Sequence, residues 1–262
     1  MRITQERNVV TISIITACVV ATALWFAGVT SHAERSPHKE ATAPAGQVPI
    51  GLTAAETSTS LRTSGEYGKI PLGFELNQGQ TDAEVQFLAR GAGYIVFLTP
   101  TNAVLSLRRQ GEENAAPKQA TVLRMALLGA NPASKVSGLD QLAGKSNYYI
   151  GNDPAKWRVD VPSYRRVSYQ DIYKGIDLVY YGNQRQLEND FVVAPGVDPN
   201  VIAVAFEGAR EIAIDKNGDL LLDTGDGPVR MQKPLVYQLI HGRRCEVAGS
   251  YVLRNRHTAG FS

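Results

Sequence analysis

Glu188 and Asp190 are the residues of this chain best suited to chemistry. They stand two apart in QLENDFVV, so on a strand their carboxylates share one face, and Asp177 falls on the segment that precedes them. Two carboxyl groups can hydrolyse a glycosidic bond at a separation of about 5 Å in retaining enzymes and at a wider gap in inverting ones, and i, i+2 side chains of one strand lie about 7 Å apart. The ordinary reading competes with this. Alternation places both acids opposite Leu187, Phe191 and Val193, the pattern of a strand with one buried and one solvated face, and predicts that Gln and Asn are tolerated in their place.

Other constellations are weaker. Asp215-Lys216-Asn217-Gly218-Asp219 opens like a calcium loop, but it lacks glycine at the sixth position and a bidentate glutamate at the twelfth, so a hairpin turn between AIAID and DLLLD is expected. His241 and His257 have no cysteine or acidic pattern beside them, and His38 lies in a polar stretch, so neither a metal nor another cofactor is expected. No phosphate-binding glycine loop, nucleophile elbow or His-Glu-x-x-His occurs. Cys245 follows Arg243 and Arg244, which could favour its thiolate, yet its strand context suggests a buried bystander. Tyr148, Tyr149, Trp157, Tyr164, Tyr169, Tyr173, Tyr180 and Tyr181 crowd one stretch. They fill a core and its rim or, if exposed together, stack on sugar rings; Trp157 and Tyr164 with Glu188 and Asp190 form the candidate ligand-binding set.

Charge excludes one partner class. With 27 Lys+Arg against 25 Asp+Glu, and Arg165-Arg166 and Arg243-Arg244 as short pairs in strand-like sequence, no basic face for nucleic acid is expected. Those pairs read as solvated edges that resist edge-to-edge association.

The elements that must position these residues begin after two segments of another kind. Arg2 and Arg7 precede an apolar, uncharged run over residues 9–29, and Ser31-His32-Ala33 suits a signal peptidase. The chain is expected to be exported, with 1–33 a signal peptide cleaved after Ala33 or, because the run is long enough to cross a bilayer, an N-terminal anchor whose residues 9–29 are the one membrane contact. Ile15-Thr16-Ala17-Cys18 imitates a lipoprotein box without the polar sequence that should follow it. Residues 34–69, rich in Ala, Thr, Ser, Gly and Pro, read as a flexible linker. From 70 to 262 the pattern is all-β.

Short apolar alternations are expected as strands over 70–76, 85–89, 94–99, 103–108, 121–128, 164–169, 176–181, 186–194, 201–206, 211–214, 219–223, 235–240 and 246–254. Gly182-Asn183, Asn217-Gly218, Asp226-Gly227 and His241-Gly242 are the expected turns. Single helical turns are expected at 198–201 and 137–142. The fold class is a β-sandwich or two stacked sandwich-like lobes of short antiparallel strands.

Four ordered blocks then carry a resemblance. FELNQGQ from Phe74, SNYYIG from Ser146, IYKGIDLVYY from Ile172 and DFVVAPG from Asp190 together resemble the extracellular domain found ahead of SBBP-type β-propeller repeats in bacterial surface proteins. The resemblance covers roughly residues 70–261. It implies a secreted or surface-displayed module with no known catalytic residue or ligand, and in such proteins strand sequence continues beyond the position of Phe261. The domain is therefore expected to be truncated at its C-terminus, with Asn255 to Ser262 adding no strand and an open edge available for self-association. The expected function is a non-enzymatic structural, adhesion or scaffolding module of the cell surface that meets a surface glycan or a protein. The alternative is a carbohydrate-binding or carbohydrate-processing sandwich.

Overall fold

The computed structural model describes residues 10–17, 72–91, 93–107, 120–183 and 186–262. The linker 34–69, Cys18, His38 and the signal or anchor segment apart from residues 10–17 lie outside the described residues.

Antiparallel ladders join eighteen strands into one network. They are β1 (Val10–Ala17), β2 (Phe74–Leu76), β3 (Phe87–Gly91), β4 (Tyr94–Leu98), β5 (Asn102–Leu107), β6 (Thr121–Leu127), β7 (Lys135–Tyr148), β8 (Arg158–Tyr173) and β9 (Ile176–Asn183). The second half comprises β10 (Gln186–Val193), β11 (Ala203–Glu207), β12 (Glu211–Ile214), β13 (Leu220–Asp223), β14 (Pro228–Met231), β15 (Leu235–Ile240), β16 (Arg243–Val247), β17 (Tyr251–Asn255) and β18 (Thr258–Phe261).

Two runs of strands make up the network. One runs β2-β3-β4-β5-β6-β11-β18-β17 by successive ladders. The other runs β9-β10-β1 and then meets β14 and β15 along the far edge of β1, with β13 and β12 beyond β14 and β16 beyond β15. The hairpin of β7 and β8 joins them. The edge of β8 away from β7 pairs with β2 at Ser163 and Tyr164 and with β9 from Arg166 to Tyr173. The change of partner coincides with an irregular register between Gln141 and Lys145 on β7, beside Asp140 at φ 55°. Bulges and corner strands of this kind let one strand serve two layers. The protein is thus an all-β, sandwich-like fold of open antiparallel sheets.

A single apolar cluster fills it. Phe74, Val96, Leu105, Leu123, Tyr169, Leu178, Phe191, Phe206 and Leu222 are all fully buried in it, from both runs. Three buried phenols satisfy their hydroxyls inside: Tyr169 donates to the Thr99 carbonyl at 2.9 Å, Tyr173 to Ala203 at 3.4 Å and Tyr251 to Gln232 at 2.9 Å. The described part of the crowded aromatic stretch therefore divides. Tyr169, Tyr173 and Tyr180 are core; Tyr148, Tyr164 and Tyr181 are half-buried; Tyr149 and Trp157 are exposed.

Several expectations change. Residues 137–142 lie in β7, because Ser137 to Leu139 pair with Arg166 to Ser168, while the single turn at Pro199–Val201 forms as expected under an Asp198 cap. Gly182 and Asn183 belong to β9, where Leu187 pairs with Gly182 and Gln186 with Asn183. Glycine at 182 answers to packing, since a Cβ there would lie 2.1 Å from that of buried Leu72. The last residues do form a strand: β18 is buried throughout and pairs with both β11 and β17. Its sequence TAGF is too small to signal this, yet small side chains let it sit between two neighbours. Beside it β17 has one partner among the described residues, β18, and its Val252 and Leu253 are exposed. Cys245 is exposed, not buried, because β16 pairs only with β15 among the described residues and every residue of β16 faces solvent.

Two outcomes follow from this packing. Gly182→Ala must displace Leu72 and should lower stability by about 1–3 kcal/mol in urea unfolding, the usual cost of overpacking. Burial raises the Tyr169, Tyr180 and Tyr251 phenols above the ordinary value near 10. The fold holds the protonated form, so this stabilisation is complete below pH ~10 and is lost as pH rises toward the raised values. The urea midpoint should be level to about pH 9.5 and fall steeply above it.

Candidate functional site

Three groups of polar and aromatic residues stand out, and the four predicted ligand residues are divided among them. The first is a cleft of about 680 Å³ between the Asn77 to Gln86 loop and the β7–β8 hairpin. Leu76, Phe87, Gln86, Val136, Gly138 and Tyr164 line it. The Tyr164 ring lies directly over Gly138, where a Cβ would come within 2.4 Å, and meets Phe87 edge-on at 5.9 Å. The loop is folded by its own amides: Asn77 donates from Nδ2 to the carbonyls of Asp82 and Val85, both at 2.7 Å. Arg158 Nε fastens it to β8 through the Gln78 carbonyl at 2.7 Å. Gln86 lines the cleft, but its Oε1 is buried beneath the wall with no hydrogen-bond partner.

Trp157 lies next to that fastening arginine. It caps the short turn Pro154–Lys156, donates from Nε1 to the Gly151 carbonyl at 3.2 Å and meets Tyr149 at 5.2 Å in a perpendicular pair. Tyr149 is 63% and Trp157 37% exposed, so this pair is an apolar surface at the hairpin tip. On the neighbouring strands Glu75 is saturated. It accepts from Arg90 at 3.1 Å, from Ser146 at 3.1 Å and from the Tyr148 hydroxyl, with the Arg90 guanidinium 5.5 Å from the Tyr148 ring centroid.

Glu188 and Asp190 form a separate group on β10. They share a face, as the spacing predicts, but that face is not solvated: Glu188 is only 6% exposed and Asp190 half-buried. Cross-strand neighbours explain the difference, because Tyr181 of β9 pairs with Glu188 and Ser13 of β1 with Asp190. Tyr181 donates its hydroxyl to Asp190 Oδ1 at 2.9 Å and Ser13 donates to the same oxygen. Burial raises the Tyr181 phenol, and the carboxylates of Asp190 and Glu188 add to the effect, while the Ser13 hydroxyl opposes it. Tyr181 is therefore a donor that stays protonated. Asp177 is tied elsewhere, accepting the Asp171 backbone N–H at 2.8 Å.

The acidic turn between β12 and β13 is a hairpin, with the Asp215 N–H bonded to the Asp219 carbonyl at 2.9 Å. Arg230 Nη1 bridges Asp215 at 2.6 Å and Asp219 at 2.7 Å, a guanidinium where a cation would otherwise be needed. Among the described residues no cluster of His, Cys, Asp and Glu could hold a metal ion. The sequence singled out Tyr164 and Trp157 as candidates but not Gln86, Asn77 and Arg158, which build the cleft wall and fasten its loop. A loop rich in Asn, Gln and Gly between two strands was the signal available for them.

The model of a family described as a domain of unknown function (DUF7948) matches residues 74–262, and the chain belongs to that family. No curated protein and no solved structure matches the chain.

Asp190 should behave as a structural fastener. Asp190→Ala removes the acceptor of two hydroxyls and should cost about 1–3 kcal/mol in urea unfolding, whereas Asp190→Asn keeps a carbonyl oxygen there and should cost less. Glu188→Ala should also destabilise, because it truncates a buried residue.

Proposed function

From membership of a family with no assigned activity, we propose that this domain is a non-enzymatic, exported module of the bacterial cell surface, serving adhesion or scaffolding. The single observation that carries this reading is what the carboxylates do. Glu75, Asp190, Asp177, Asp215 and Asp219 are each engaged by side chains or amides of their own sheets. Acid–base catalysis needs a carboxyl group facing a substrate cleft with its protonation free to change. Here they fasten strands. The resemblance to domains placed ahead of SBBP-type repeats, and the positive start and apolar run before Ser31-His32-Ala33, support display outside the cell.

Contact with other proteins would use strand edges. Among the described residues β17 pairs only with β18, and its exposed Val252 and Leu253 offer an apolar edge for self-association. β16 carries Arg243 and Arg244 on its corresponding edge, which opposes such pairing.

A second reading is favoured by the Tyr164 cleft and the exposed Tyr149–Trp157 pair. A half-buried ring packed on Phe87 and a nearby exposed aromatic pair suit a sugar, and make the domain a carbohydrate-binding module.

The exported protein should be assayed on a glycan array and against glycosidic substrates. The expected outcome is no turnover; turnover abolished by Glu188→Gln would overturn the non-enzymatic reading. Glycan binding lost in Tyr164→Ala and Trp157→Ala would decide for the second reading. The mass of the exported protein should place its N-terminus at Glu34, and an intact N-terminus in the membrane fraction would decide for an anchor.

A further inference from the structure

Residues 10–17 have two roles that the same mature chain cannot both keep. In the sequence they are the apolar middle of an export segment ending at Ala33; in the fold they are β1, paired along both edges. We propose that the slot between β10 and the β14–β15 edge is a strand-accepting site which, once residues 1–33 are removed, takes an extended, uncharged apolar strand donated by another polypeptide. The proposal rests on the export reading given above.

The slot is specified by its walls. Val10 to Thr16 pair with Val193 to Leu187 of β10, antiparallel, and on the other side Val10 to Ser13 pair with Gln238 to Leu235 and Thr16 with Met231. An empty slot would strand the backbone groups of both walls. It would also leave a part of the fold held by side-chain packing alone: among the described residues β1 is the only strand whose ladders connect β12–β16 to the rest.

The walls cannot simply close on each other. Both are antiparallel to β1 and so parallel to one another, and direct pairing would need a shift of about 5 Å, one strand spacing. Contacts on the core side oppose that shift. Phe191 of β10 packs on Phe261 at 5.9 Å, Phe261 packs on Tyr251 at 5.7 Å, and Tyr251 donates to the Gln232 carbonyl beside β15 at 2.9 Å.

Two positions set the chemistry of the occupant. Ile12 is 2% exposed in the main core, opposite Phe191 and Val236, so a branched apolar residue belongs there. The next residue, Ser13, donates to Asp190 beside the Tyr181 hydroxyl, so a small hydroxyl side chain belongs there. β1 carries no charge over its whole length, VTISIITA. The donated strand is thus at least seven residues long, free of proline and charge, with an Ile/Val/Leu–Ser/Thr step at its centre. Main-chain bonds supply its affinity and those two positions its register.

The full chain, folded with a specific protease site placed after Ala33, tests this directly. After cutting, a fluorescent peptide of residues 7–17 should exchange into the protein and raise its melting temperature. Its I12D counterpart should bind about tenfold more weakly or worse, and the uncut chain should take up neither. Precipitation on cutting that the wild-type peptide prevents has the same meaning. A cut protein that stays equally stable and binds no peptide overturns the proposal, as does precipitation the peptide cannot prevent, or a dimer that excludes the peptide. Peptide exchange in the cut protein, together with an uncleaved N-terminus on the protein recovered from cells, would sink signal-peptide cleavage alone and leave the slot standing.

Discussion

A β-strand has two hydrogen-bonding edges, and β8 uses both over most of its length. One edge carries β7, and the other carries β2 and then β9. That double use makes one molecule of two runs of strands, because the same sixteen residues belong to each. Everything else hangs from it: the meander leading from β2 to β17 on one side and the layer built on β9 and β10 on the other. The change of partner needs a break in register, and Asp140 supplies left-handed backbone close to it without glycine, as Asp171 does at the separate irregularity between Tyr169 and Tyr173.

Side-chain charge in this protein is used mainly to hold strands in place. Arg230 spans two aspartates of a hairpin, Arg90 and Tyr148 share Glu75, and Asp190 gathers hydroxyls from strands on either side. In each case the charge sits beside donors from a different strand, so the bond fixes register as well as energy. What these fastenings leave at the surface is chiefly aromatic rings, as at Tyr149 and Trp157, and strand edges with a single partner among the described residues, as at β16 and β17.

The legible part of the sequence was the part with two unlike faces. β5, β9 and β10 carry buried apolar residues at alternate positions, β4 is a short apolar run bounded by turn residues, and each was readable to within a residue or two. β7 was illegible because KVSGLDQLAGKSNY lies along an outer edge with half its residues exposed and none fully buried, so burial imposes no period on it. β18 was illegible for the opposite reason: TAGF is buried on both faces and has nothing to alternate. Among the site residues, aromatic crowding pointed to Tyr164 and Trp157, and i, i+2 spacing rightly put Glu188 and Asp190 on one face. That face is covered through pairing with β1 and β9, a contact between positions far apart in the chain that local pattern does not encode.

β1 also fixes an order of events. It is synthesised before any strand it pairs with, yet its partners at Leu187 to Val193 and Leu235 to Gln238 are among the later parts of the chain. Bringing such distant segments together costs loop entropy that nearer pairings need not meet. The first strand made must therefore wait for walls that are complete only at Gln238. Until its walls at Leu187 to Val193 and Leu235 to Gln238 exist, it is an apolar segment with neither of these partners to claim it.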